Sequence, residues 1–198
     1  GGNGGAASAG GAERVDLMDC FDLFTEKEQL GENDLWYCSK CKGHVPAYKK
    51  FDLWTAPDLL ILHLKRFEYI PGQYFMHRQK IESLVDFPIE ELDLRHMVKS
   101  GQARAGHVRP DVEPLYELFG VSEHMGGLGG GHYTAVVKNV QSGGWFACDD
   151  TRVTPVSRDA GVTPNAYVLF YQRKGAAAKW AGIIPPPPGK AASPAAKR

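Results

Sequence analysis

Three side chains in the second half of the chain could carry acid–base chemistry: His132, Asp149 and Asp150. An imidazole oriented by a carboxylate is the base half of a nucleophilic triad, because the carboxylate fixes the tautomer that accepts a proton. Between these residues, Tyr133 to Val137 and Trp145 to Cys148 flank Gly143-Gly144. Two such runs around a glycine pair predict a β-hairpin, which brings His132 and the aspartates together at its open end. Strand alternation puts His132 and Thr134 on one face and Tyr133, Ala135 and Val137 on the other. Asp149 and Asp150 are expected to point to opposite faces, so that only one of them meets His132. Asp followed by Thr also serves ordinary turn chemistry. Glycines at 126, 127, 129, 130 and 131 read as a long loop before His132. It is either merely floppy or a place where backbone can approach a bound chain closely.

A nucleophile is harder to find. No serine or cysteine lies in a nucleophile-elbow or helix-start setting. Of the four cysteines, Cys148 is expected on the face opposite Asp149. Cys20 falls on the apolar face of a short helix capped by Asp16, with Leu17, Phe21 and Phe24, and reads as core. Cys38 and Cys41 form a C-x-x-C followed by Gly43, the spacing of a zinc knuckle. They supply two ligands of the four that a structural zinc wants, and His44 is either a third or a solvent-facing residue. Either residues upstream of this chain complete the site, or there is no zinc. On residues alone, the glycines, His132 and an aspartate fit several hydrolases and some binding loops.

The elements that must position these groups are strand-rich. The 198 residues are 43% hydrophobic, and 23 basic residues balance 23 acidic ones, enough for one domain with a core and no nucleic-acid grip. No apolar run reaches bilayer length, so no membrane partner is expected. The start lacks a signal-peptide pattern, which gives a cytoplasmic or nuclear expectation. Gly rather than Met at position 1 suggests a fragment. Residues 1–12 read as a disordered Gly/Ala linker, 13–174 as the folded part, and 175–198 as a disordered Ala/Pro-rich tail. Strands are expected at Lys49–Trp54, at Leu59–Phe67 (central in the sheet, with a structural His63), and at Lys80–Phe87. Glu113–Glu123, Arg152–Val156 and Asn165–Arg173 complete the strands. Tyr69–Gln79 reads as a loop, Glu90–Val98 as a short helix and Ser100–Asp111 as an exposed excursion. The sum is α+β with a largely antiparallel sheet.

The stretches YELFGVSEHMGGLGGGHYTAVVKN, GGWFACDDTRVTPVS and NAYVLFYQR resemble the histidine box of the ubiquitin-specific proteases, a papain-like family of deubiquitinating cysteine proteases. LFTEKEQLGENDLWYCSKCKGHVPAYKKFDLWTAPDLLILHLKRF is similar to the same family, in the branch whose catalytic domain is split by a long insertion. The resemblance covers residues 13–174. It implies a fingers–palm–thumb fold, with this chain giving most of the palm and part of the zinc-ribbon fingers. His132 matches the general base, Asp149 the residue that orients it, and Asp150 a supporting acidic position. Tyr69–Gln79 and Glu123–Gly131 match two loops over the ubiquitin tail, which implies substrate contacts at His124, Gly130, Gly131 and Tyr133. Cys38 and Cys41 match half of a structural zinc site, and catalysis needs no cofactor. The implied activity is hydrolysis after the C-terminal glycine of ubiquitin, on ubiquitinated proteins. The family's cysteine box and first C-x-x-C are absent, so the N-terminal part of the same catalytic domain is an implied partner, and the chain alone is expected inactive. The other reading is an inactive ubiquitin-binding scaffold. Glu123 stands where the family carries a small polar residue such as Asn, and Val136-Val137 replaces a more usual aromatic.

Overall fold

The computed structural model describes residues 14–71, 76–99 and 113–176. The expected linker at 1–12, the excursion at 100–111 and the tail beyond Ala176 lie outside the described residues. In chain order the elements are β1 (Arg14–Asp16), α1 (Leu17–Thr25), β2 (Glu28–Gln29), β3 (Trp36–Cys38), β4 (Gly43–Val45), β5 (Tyr48–Lys49), β6 (Leu59–His63) and β7 (Phe67–Pro71). They continue as β8 (Met76–Lys80), β9 (Leu84–Asp86), β10 (Leu92–Asp93), β11 (Leu115–Gly127), β12 (Gly130–Lys138), β13 (Trp145–Asp149), β14 (Arg152–Val156) and β15 (Ala166–Arg173). Seven strands form one sheet in the order β14-β13-β12-β11-β15-β6, with β10 added on β11. Every pairing within it is antiparallel, as expected for an α+β chain.

The single described helix, α1, begins where Asp16 Oδ1 accepts the Met18 N–H at 2.7 Å, which satisfies one of the donors a helix start leaves free. Leu17 and Phe21 enter the core beside Tyr116, Leu118, Val121, Leu169 and Tyr171 of the sheet, and Cys20 packs against its edge. Phe24 departs from the expected core face. It is 49% exposed and stacks on Phe51 with ring centroids 5.1 Å apart.

Several elements differ from the sequence expectation, each for a local reason. β6 lies at the sheet edge rather than its centre, paired with β15 alone among the described residues; Ile61 is 62% exposed. The strand ends at His63, and Arg66 turns inward to donate to the carbonyls of Ala166, Ile81 and Ser83. That side chain satisfies backbone which a continuous strand at Lys80–Phe87 would have paired, so only β9 forms there, parallel to β1. Of the expected strand at Lys49–Trp54, only β5 and a bridge from Leu53 to Val98 are present. Tyr69–Gln79, read as a loop, belongs largely to the antiparallel β7–β8 hairpin, with 72–75 outside the described residues. Glu90–Val98 is not a helix. Leu92 and Leu94 are both buried, the period of a strand rather than of a helix, and Asp93 Oδ1 accepts the Arg95 N–H at 3.0 Å to start a turn. At the C-terminal end the fold runs past residue 174: Gly175 takes a positive φ of 81° and Ala176 is buried.

Two irregularities shape the centre of the sheet. β11 spends an extra residue at Phe119, between the pairs Leu118↔Tyr171 and Gly120↔Phe170. β15 spends one at Tyr167, between Ser122↔Val168 and Glu123↔Ala166. A bulge swaps which side chains face the core. Tyr116 and Leu118 are therefore buried in the core before the first and Val121 after it, while in β15 Leu169 and Tyr171 are buried on one side of the second and Ala166 on the other.

Candidate functional site

The glycine stretch is a continuation of the sheet rather than a long loop. β11 and β12 pair without interruption to Gly127↔Gly130, leaving Leu128-Gly129 as the turn. Two glycines are required there by space. A Cβ on Gly131 would stand 2.4 Å from His124 Nε2 and 2.4 Å from the Met125 carbonyl, and one on Gly126, at φ 109°, would meet the Gly130 carbonyl at 2.7 Å. Side chains at either position would force the hairpin apart.

This hairpin delivers His132, opposite Met125. The next one, β12–β13, returns the chain through Asn139, whose Oδ1 accepts the Gln141 and Ser142 N–H groups, and ends at Asp149. The expected juxtaposition results: His132 Nε2 lies 2.5 Å from Asp149 Oδ1. A carboxylate only accepts, so Nε2 carries the proton and Nδ1 presents a lone pair. The hydrogen bond to Asp149 raises the imidazole above its ordinary pKa; desolvation opposes it, and the charges of Asp149 and Asp150 add to the rise. The His132 side chain remains 45% exposed, open to a reacting group.

Asp150 does not point away as alternation suggested. It takes a left-handed backbone, φ 49°, in the turn between β13 and β14, which brings its carboxylate in with the pair; one ligand atom from each of the three residues lies within 4.8 Å of the others. That spacing also suits a cation, but three exposed donors without buried supporting groups make a poor metal site. None of the four cysteines joins the cluster among the described residues.

Beneath the site lies a ring cluster. His124 is 4% exposed, with its ring centroid 4.7 Å from Tyr133 and 5.7 Å from Tyr167. Phe67 meets His124 edge-on, and His63 does the same to Tyr167 at 4.6 Å. Lys80 Nζ donates to the His124 carbonyl at 2.5 Å. Burial first, and Lys80 second, hold His124 below its ordinary pKa. Of the expected contact residues, Gly130, Gly131 and Tyr133 are exposed on the site's rim, while His124 is buried under Gly131. Sequence reasoning missed Tyr167, Phe67 and Lys80. Tyr167 owes its direction to a bulge, which leaves no mark in the pattern of residue types.

Cys38 and Cys41 sit at the end of the β3–β4 hairpin, remote in sequence from His132. The Cys41 N–H donates to Cys38 Sγ at 3.5 Å. That bond, a second from the Lys40 N–H and a third from the Cys41 thiol pull the Cys38 thiol below its usual pKa. Lys42 takes a positive φ of 50° to close the turn. N–H groups aimed at sulfur suit a thiolate, so the pair fits one half of a metal knuckle. His44 is occupied edge-on with Tyr37, and no third donor joins the cysteines among the described residues.

Known proteins align with these elements. The sequence profile described as "Ubiquitin carboxyl-terminal hydrolase" matches residues 19–171. Human ubiquitin carboxyl-terminal hydrolase 15 is 48% identical over 161 residues, 81% of this chain and 15% of that protein. A putative ubiquitin carboxyl-terminal hydrolase 11 of Arabidopsis thaliana is 46% identical over 161 residues, 81% of this chain and 17% of that protein. Among solved structures, a chain of the SAGA Ubp8/Sgf11/Sus1/Sgf73 DUB module bound to ubiquitin aldehyde superposes with a TM-score of 0.60 at 29% identity, covering 82% of this chain and 36% of that one. The chain thus spans a minor part of the length of each relative. The profile match runs through both hairpins, and with the identities it makes the chain a member of the ubiquitin carboxyl-terminal hydrolase family, on the side of the ubiquitin-specific proteases it resembles.

Proposed function

We propose that this chain supplies the base half of a cysteine-type ubiquitinyl hydrolase, with His132 as general base and Asp149 as its orienter. The 2.5 Å contact between His132 Nε2 and Asp149 Oδ1, held at the foot of a glycine hairpin, carries the reading. In the reaction, His132 Nδ1 takes the proton of a cysteine thiol, and the thiolate attacks the carbonyl of the ubiquitin C-terminal glycine. The tetrahedral intermediate collapses as the imidazolium gives that proton to the leaving lysine amine. Water, activated by the same Nδ1, then cleaves the thioester and restores the thiol. Asp149 keeps Nε2 protonated throughout, and Asp150 adds negative charge beside the imidazolium.

The substrate surface is the rim formed by Gly130, Gly131 and Tyr133, where the lack of side chains admits a Gly-Gly tail. His124 serves it from below by seating Gly131 and Tyr133. The sheet is the palm of a papain-like fold, and the β3–β4 hairpin a part of the fingers. Zinc, when bound, would be held by Cys38, Cys41 and two ligands from elsewhere, and would brace that hairpin without entering the reaction. The nucleophile comes from another part of the same catalytic domain. Leu59 and Ile61, exposed on β6, suit a face that such a part covers. Ubiquitin as partner is supported by the relatives' names and by the neighbour bound to ubiquitin aldehyde. Four unpaired thiols accord with a cytoplasmic or nuclear setting.

The 198-residue chain by itself should release no fluorophore from a ubiquitin C-terminal ester or amide; release would overturn the division of the site. In the full-length protein, His132→Ala should lower turnover by about the 10²–10⁴-fold typical of general-base loss, and near-normal turnover would sink the assignment. A scaffold that only binds ubiquitin would form no adduct with a suicide ubiquitin probe.

A further inference from the structure

The β12–β13 ladder begins at Ala135↔Cys148, so Thr134, Tyr133 and His132 lie beyond its end. Among the described residues the backbone ladder of this stretch is with β11 alone, its tie to β13 being the His132–Asp149 side-chain contact, and at that level β11 is itself losing its other neighbour. Its pairing with β15 slips at Ser122/Glu123. Past that slip one ladder pair remains, Glu123↔Ala166, with the His124 N–H donating to the Asn165 carbonyl at 2.9 Å and Lys80 Nζ to the His124 carbonyl at 2.5 Å.

One side chain bridges this gap. Glu123 lies directly opposite Thr134; its Oε2 accepts from Thr134 Oγ1 at 3.1 Å and its Oε1 from Thr163 Oγ1 at 2.6 Å. Thr163 Oγ1 in turn accepts the Asn165 N–H at 3.2 Å, and the Thr163 carbonyl accepts the Ala166 N–H at 3.1 Å. A single carboxylate therefore joins the start of β12 to the turn that feeds β15. Thr134 shares a face with His132, two residues away, so a shift of one is passed to the other. The two hydroxyls both donate, and Thr163 Oγ1 is already an acceptor for Asn165, so its proton has Glu123 as its partner. A glutamine offers one acceptor and one donor group in the same space, which leaves one hydroxyl proton unmatched in a half-buried setting.

We propose that Glu123 is a positioning residue: bridging Thr134 and Thr163, it holds the His132 end of β12 at the depth where the imidazole meets Asp149. The inference rests on the reading of His132 as general base. In the full-length protein, Glu123→Gln should lower kcat by about tenfold, within the loss that misplacement by up to an ångström causes, with KM for a ubiquitin fluorogenic substrate changed less than about twofold. The His132 ring titration, followed by NMR, should move toward lower pH as its contact with Asp149 loosens. Thr163→Val should reproduce both effects without touching β12, and the double variant should be no worse than either single one. It also poses the question should Glu123→Gln fail to fold. A kcat within twofold of normal, or a loss of kcat with an unmoved His132 titration, would overturn the proposal. An inactive His132→Ala beside a normal Glu123→Gln removes this inference alone, whereas an active His132→Ala removes the reading beneath it.

Discussion

At the scale of residues, the pair His132–Asp149 makes a pH-dependent statement about function. A general base acts when neutral, and a raised pKa moves the acid limb of the rate profile to higher pH. Asp149→Asn weakens the hydrogen bond that raises it and removes the charge that adds to the rise, so the His132 titration should return toward the ordinary value of 6.5. Turnover should fall by about 10²-fold or more, because the tautomer is no longer fixed. An NMR titration of the ring and a pH–rate profile check the two halves separately; a midpoint that stays high in Asp149→Asn would show that another group sets it. This pair was legible in the sequence, since Gly143-Gly144 between alternating runs demands a hairpin and a hairpin closes the distance. Asp150 was not. Its position depends on a left-handed backbone at a non-glycine residue, which the turn imposes and residue type does not announce.

At the scale of elements, the glycine hairpin separates two explanations of one composition. Five glycines in six positions suggested a loop, and composition alone could not reveal that pairing continues to Gly127↔Gly130. Their requirements differ from position to position. Gly131→Ala would drive its Cβ into His124 and the Met125 carbonyl, neither of which can yield without opening the hairpin, so it should cost about 1–3 kcal/mol as an overpacked site does. Gly129→Ala meets open space at a φ that any residue adopts, and should stay within about 0.5 kcal/mol. Urea denaturation of the two variants measures the difference; equal midpoints would mean that the hairpin is as loose as its composition suggests. The bulges at Phe119 and Tyr167 and the edge position of β6 escaped the sequence for a related reason. A side chain records which face it occupies, but not where the partner strand slips or where the sheet stops.

At the scale of the whole molecule, two histidines one strand apart bend the stability curve in opposite directions. His132 binds its proton more tightly in the folded state than in the unfolded chain, whose histidines titrate near ~6.5. The stabilisation it contributes is complete below that value and is lost as pH rises through the raised folded pKa. His124 is the reverse. Buried neutral under Gly131 and facing Lys80, it resists protonation, so its contribution is complete above ~6.5 and declines as pH falls toward its depressed folded pKa. Asp93, held near pKa 2 by Arg95, titrates well below this window. The thermal midpoint should therefore pass through a maximum near ~6.5 between pH 5 and 8, where neither histidine opposes folding. His124→Phe keeps a ring in the same aromatic cluster and should flatten the acid side alone; Asp149→Asn should flatten the alkaline side alone. If His124→Phe left the acid-side decline unchanged, the loss would belong to other groups, and the buried imidazole would be a packing piece without electrostatic consequence.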